Sequence, residues 1–308
     1  MTNGVQVKAW TFDEFYGRNG EFLDGLDHRG LAFVAEVPPN FQAWLERPQI
    51  LRKPPKNRPK NKRGNTQKYP RLSRRTARSS EVKNLARWSP ALSKQKPQRY
   101  RIKETHKGPE VWEIRWETCW RKTHDGKLVS RQCTLIVARN VETGEVKYFI
   151  SNRVPGRDGW SLRALLRVAF SRAQVEGCFR EAKEELGMDH FECRGWRCIH
   201  RHLYVAILSG LFCARVRQKL SPSELVSSGE LLTMEQVRRA ANVFIESITM
   251  PPKLRNEHLE KELARQRYYK ARNATAARSH KKTRTKRLKE QGIDPEKIKS
   301  VPPKSPPC

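Results

Sequence analysis

Apolar and polar positions follow two periods along the chain, one of two residues and one near 3.6. Residues 5–12, Val-Gln-Val-Lys-Ala-Trp-Thr-Phe, predict a strand with Asp13 and Glu14 at its carboxyl end. Residues 18–28 predict a short helix, with Phe22, Leu23 and Leu26 on its apolar face and Gly30 closing it. Residues 31–37 predict a second strand, stopped by Pro38 and Pro39. Strand, short helix, strand is the β-α-β pattern of a parallel sheet. Four more strands are expected at 99–103, 111–120, 132–138 and 146–151, with turn-like breaks at 124–127 and 142–145. In the second of these, Trp112, Ile114, Trp116 and Thr118 alternate with Glu113, Arg115 and Glu117. That is a half-buried strand, and its tryptophan stripe reads as core ahead of a base-stacking surface.

The period then becomes helical. Leu162, Leu165, Leu166, Ala169, Phe170, Ala173 and Phe179 form one stripe over 161–186, and Gly187 is placed to end that helix. A second helix, 199–219, is apolar over most of its surface and is expected to pack inside. Ser221-Pro222-Ser223-Glu224 reads as a helix start, and Thr233 with Gln236 as a capping box opening a helix to about Ile248.

Charge changes this picture. Lys and Arg number 63 against 32 Asp and Glu, a formal net charge of +31. Such an excess speaks of partners rather than fold, and nucleic acid is the first candidate. Residues 51–78 hold 12 Lys and Arg and no acid, which reads as a linker or as an arm lying on a phosphate backbone. Residues 264–289 also lack acids and form a second candidate phosphate-binding segment. No run of 18 apolar residues is present, so no membrane partner is expected. Seven scattered Cys fit reduced thiols and a cytoplasmic location better than a disulfide framework.

Candidate chemistry centres on Arg172-x3-Glu176-x6-Lys183. On a helix these three fall within roughly 40° of one another, so one carboxylate shares a face with two cations. Phosphoryl transfer with Mg2+ or Mn2+ needs two or three converging carboxylates, and Asp13 at a strand's carboxyl end is placed to be another. Cys193, Cys198, His200 and His202 invite a zinc reading, but the two His would sit about 200° apart on a helix. A packed, hydrogen-bonded His202 is the favoured account.

The Arg172–Glu176–Lys183 string resembles the signature around the last acid of DDE transposases from bacterial insertion sequences. The run from Glu185 to Trp196 and then His200-Arg-His-Leu203 resembles the segment that follows that acid. Ala9-Trp-Thr-Phe-Asp13-Glu-Phe-Tyr-Gly17 resembles the block around the second catalytic Asp, and Val146–Asn152 the end of the family's β-rich insertion. Arg267–Asn273 to His280 resembles its C-terminal end. The family often has a Tyr three residues before the Arg, where this chain has Ala169.

The resemblance implies an α/β fold: an RNase H-like core interrupted by a β-rich insertion, with a helical C-terminal part and a basic tail. Residues 1–40 would be an N-terminal remnant of the core, 41–98 a basic linker or arm, and 99–157 the insertion. Residues 158–220 would complete the core, 221–250 add accessory helices, and 251–308 form a flexible tail. Asp13 and Glu176 would be catalytic and hold Mg2+ or Mn2+; Arg172, Lys183 and Arg180 would contact DNA, especially transposon ends. The family's first catalytic Asp lies on an opening strand before the second, and the 12 residues before Asp13 contain no acid. The chain is therefore expected to lack that Asp and the first strands, as an N-terminally truncated transposase that binds DNA but is catalytically impaired alone. A separately encoded N-terminal fragment and a homodimer are candidate partners. The alternative is a non-enzymatic RNA- or ribosome-associated basic protein.

Overall fold

The computed structural model describes residues 6–53, 69–73, 78–105, 107–124, 128–220 and 232–301. The expected helix start at Ser221–Glu224 and most of the basic 51–78 segment lie outside the described residues. The chain divides into two compact units. The first takes in the described residues up to Thr105, Pro109–Arg172 and Thr285–Val301; the second takes in Ala173–Arg284 with Lys107 and Gly108.

The first unit is built on one mixed sheet. Its strands are β1 (Trp10–Phe12), β2 (Phe33–Val37), β3 (Gln42–Trp44), β6 (Ser80–Glu81), β7 (Gln98–Thr105), β8 (Gly108–Arg121), β9 (Cys133–Asn140), β10 (Val146–Ser151) and β11 (Lys299–Ser300). A separate pair, β4 (Ile50–Leu51) and β5 (Arg71–Leu72), stands apart from it. The main path runs β1-β2-β10-β9-β8-β3-β6, with β7 on β8 and β11 on β7. β1 and β2 are parallel and joined through α1 (Glu14–Gly17) and α2 (Gly20–His28), as the β-α-β pattern predicts. β10 then pairs antiparallel with β2, so the β-rich insertion extends the core sheet. The fold is an α/β RNase H-like core with a β insertion and a helical C-terminal region.

Both faces of this sheet are covered, which explains why β2 and β9 read as continuous apolar runs. On one face Phe33, Ala35 and Val37 of β2 and Leu135 and Val137 of β9 meet Leu23 and Leu26 of α2. On the other, Val34, Ile136, Ala138, Trp112 and Ile114 meet Leu162, Leu165, Leu166 and Ala169 of α5 (Leu162–Leu186). The Trp112 stripe is therefore core, and the Trp112 indole N–H donates to Glu110 at 2.7 Å.

Two segments differ from their sequence-based expectation. The 41–98 stretch, read as a linker or arm, contributes β3, α3 (Val82–Trp88) and α4 (Pro90–Ser93), and buries Ala43, Val82 and Leu92 completely. The stretch read as a flexible tail carries one helix of 39 residues, Pro252–Glu290. Its end belongs to the first unit, where Leu288 packs with Val111 and Ile293.

In the second unit α5 ends at Gly187, whose φ of 62° suits the residue expected to close it. His202 of α6 (Trp196–Leu220) lies 2.8 Å from the Gly187 carbonyl oxygen. The expectation that α6 packs inside is corrected: Tyr204, Val205, Ile207, Leu208, Leu211 and Phe212 are exposed. An apolar helix is internal only where other elements cover it, and the described neighbours of α6 bury Ala206 and Cys213 alone. The capping box of α7 (Met234–Thr249) forms as predicted, with the Gln236 N–H donating to Thr233 at 3.2 Å and the Thr233 N–H to Gln236 at 2.8 Å. Thr233→Ala is expected to cost about 1 kcal/mol in urea unfolding.

Candidate active site and nucleic-acid interface

Asp13 directly follows β1 and caps α1, its Oδ1 accepting the Tyr16 N–H at 3.2 Å. Its position is fixed by how closely α1 meets the sheet. A Cβ on Gly17 would stand 1.8 Å from the Glu36 carbonyl oxygen of β2, so only glycine fits there. Around Asp13 the aromatic side chains interlock, with Phe12 edge-on to Phe22 at 4.8 Å and Tyr16 tilted against Phe22 at 5.5 Å. Gly17→Ala must push α1 off β2. The expected result is a loss of about 1–3 kcal/mol in unfolding free energy, with changed aromatic near-UV dichroism.

Arg172, Glu176, Arg180 and Lys183 all lie on α5. Arg172 is the last residue of the first unit and is half-buried; Glu176, Arg180 and Lys183 are in the second unit and exposed. By helical spacing the four share an arc of roughly 80°. Thus one candidate carboxylate, Asp13, belongs to the sheet unit, and the other, Glu176, to the helical unit.

Carboxylate oxygens suit a hard divalent ion. Among the described residues, however, no three His, Cys, Asp or Glu side chains gather as a metal site. The donor chemistry of Asp13 and Glu176 fits Mg2+ or Mn2+, but a three-carboxylate set is not formed by the described residues. The zinc reading has no such group either, and His200 and His202 face different backbone oxygens, those of Trp196 and Gly187.

A charged centre beside the sheet carries no signal in the sequence. Arg121 at the end of β8 is 1% exposed and reaches two carboxylates of α2. Its Nη1 donates to Asp24 Oδ1 at 2.6 Å, and its Nη2 to Asp27 Oδ2. Asp24 Oδ2 also accepts the His124 N–H at 2.8 Å. Asn152 donates to Asp27 Oδ1 at 2.9 Å and accepts the Phe33 N–H at 3.0 Å. The centre ties α2 to β8, β2 and β10, and so holds the crossover that follows Asp13. Cys133 is buried beside it; burial pushes its thiol from 9.0 to about 11.

That shift has a sign. The folded thiol holds its proton more tightly than the unfolded one, so its contribution is complete below pH 9 and is lost as pH rises toward about 11. The expected result is falling stability over that alkaline window, with the Cys133→Ser variant showing a smaller fall. At pH 8 iodoacetamide should label the exposed Cys178 and Cys198 and spare Cys119 and Cys133, as read by mass spectrometry.

A family model described as DDE superfamily endonuclease matches residues 1–109. Over this part the chain is similar to a DDE-type endonuclease domain, and the matched part contains Asp13 and the β1-α2-β2 unit. The similarity supports a nuclease of transposase type in general. None of the curated proteins matches the chain. Among the described residues no helix is long and apolar enough to cross a membrane.

Proposed function

We propose that this chain is a DNA-binding protein of the DDE transposase type, derived from an insertion sequence. Asp13 and Glu176 are its metal-binding carboxylates, and Arg172, Arg180 and Lys183 grip the phosphates of transposon ends. The observation that carries the reading is the endonuclease similarity over residues 1–109, with Asp13 where the first strand of a parallel β-α-β unit ends. A net charge of +31 and the shared arc of basic residues around Glu176 support a polyanionic partner. Bound Mg2+ or Mn2+ would activate the attacking oxygen and stabilise the leaving one. The chain's own part is to hold Asp13 through the α1 cap and Gly17, and to align DNA along the basic face of α5. Two assigned carboxylates are one short of the set such chemistry uses, so the chain alone binds DNA and cuts it weakly.

Mn2+ binding, followed by electron paramagnetic resonance, tests the carboxylates without relying on turnover. Asp13→Asn and Glu176→Gln should each weaken Mn2+ binding while leaving DNA binding in EDTA intact. Unchanged Mn2+ affinity in both variants would remove the two residues from the site.

A further inference from the structure

The helix α8 (Pro252–Glu290) carries a feature that the carboxylate site does not use. From Ala264 to Lys289 it holds 11 Lys and Arg and no acid. All ten residues from Arg267 to Ala276 are exposed, and on one side Tyr269, Lys270 and Asn273 line a cleft with Thr233, Glu235 and Arg239. A helix that is polar all round gains little from tertiary burial. Here it also repels itself: Arg278 stands three residues from Lys281 and four from Lys282. Each such like-charge pair destabilises the helix unless a counter-charge is near.

Bases lie all round the helix, and four of them align on one face. Arg267, Lys270, Ala274, Arg278 and Lys281 recur at offsets of 0, 3, 7, 11 and 14, within an arc of about 80°. The stripe is roughly 21 Å long at 1.5 Å per residue. Ala271 and Ala274 near its middle leave the helix backbone free to approach a partner closely, while longer bases flank them. Glu262 and His258 project on the half-buried side, where Glu262 meets Arg239 at 3.7 Å, and Gln266 stands between that side and the stripe.

We propose that the middle of α8 is a second DNA-binding element that lies in the major groove of duplex DNA, with Arg267, Lys270, Arg278 and Lys281 on the bordering phosphates. A helix of about 10–12 Å diameter matches a B-form major groove about 12 Å wide. The major groove of duplex RNA is too narrow and deep to admit it. Phosphate neutralisation also removes the self-repulsion of the helix. This inference rests on the DNA-binding reading above but uses residues distinct from α5.

The test is binding of a 20-base-pair DNA duplex by the full chain over a range of salt concentrations. The variant Arg267→Gln, Lys270→Gln, Arg278→Gln, Lys281→Gln should lower the salt slope by roughly 3–4, at about 0.9 per phosphate contact, and weaken binding on the order of 10³-fold at 0.1 M salt. A variant with Arg267→Lys and Arg278→Lys keeps the charges and should bind within a few-fold of wild type. Far-UV dichroism checks that each variant is folded. Unchanged slope and affinity in the folded quadruple-Gln variant would overturn the role of α8 while leaving DNA binding through α5 standing. Duplex RNA bound as tightly as DNA, with the same loss in the variant, would also overturn it. If wild type binds no DNA at all, the broader DNA-binding reading falls as well.

Discussion

Arg121→Ala is expected to remove about 3–5 kcal/mol of stability, the cost of breaking a buried ion pair from one side. Arg121 is 1% exposed, and its partners Asp24 and Asp27 are 17% and 11% exposed at the side chain. Alanine would leave two poorly hydrated carboxylates facing one another with no cation between them. Each keeps one neutral donor, the His124 N–H or the Asn152 amide, which does not offset the lost guanidinium. Lysine at 121 retains charge but cannot fork to both carboxylates, so it should recover only part of the loss. Urea unfolding measured for wild type, Arg121→Ala and Arg121→Lys checks the order. A loss below about 1 kcal/mol for alanine would mean that the centre does not hold α2 on the sheet.

Duplex DNA binding by the intact chain is expected to weaken about 10³–10⁵-fold between 50 and 200 mM salt, for 6–10 neutralised phosphates. The chain has the means: 63 Lys and Arg, with basic faces on α5 and α8 that are largely exposed. A fluorescence-anisotropy titration at several salt concentrations gives the slope. Weak salt dependence would show that phosphate contacts do not drive the interaction.

The elements that the sequence predicted well are those whose pattern is local. The alternation of Trp112, Ile114 and Trp116 marks β8; the first two join the core cluster on the α5 face, and Trp116 packs half-buried against it. The capping residues Thr233 and Gln236 and the glycine at 187 mark helix ends directly. The parallel β-α-β start was legible because Gly30 and the proline pair punctuate its strands. What was hidden depends on partners distant in sequence. Arg121 meets Asp24 and Asp27 across 97 and 94 positions, and no periodicity announces such a pairing. The short β3 and β6 pair through a register set by tertiary contact, inside a stretch whose composition suggests a linker. The apolar surface of α6 was legible, but its exposure was not, because hydropathy reports what a helix could bury and not what covers it. For the candidate site, the sequence supplied Asp13, Glu176 and the basic face of α5. It did not supply Gly17, whose need arises only where α1 touches the Glu36 carbonyl.

We propose that the chain binds DNA and that Asp13 and Glu176 are the carboxylates that hold its metal. This proposal is tested most directly by nicking of supercoiled plasmid in Mg2+ or Mn2+, with DNA binding measured in parallel in EDTA. The account predicts tight DNA binding by wild type, Asp13→Asn and Glu176→Gln alike, with slight nicking by wild type and none by either variant. Robust nicking by wild type, nicking indifferent to both substitutions, or no DNA binding would contradict it.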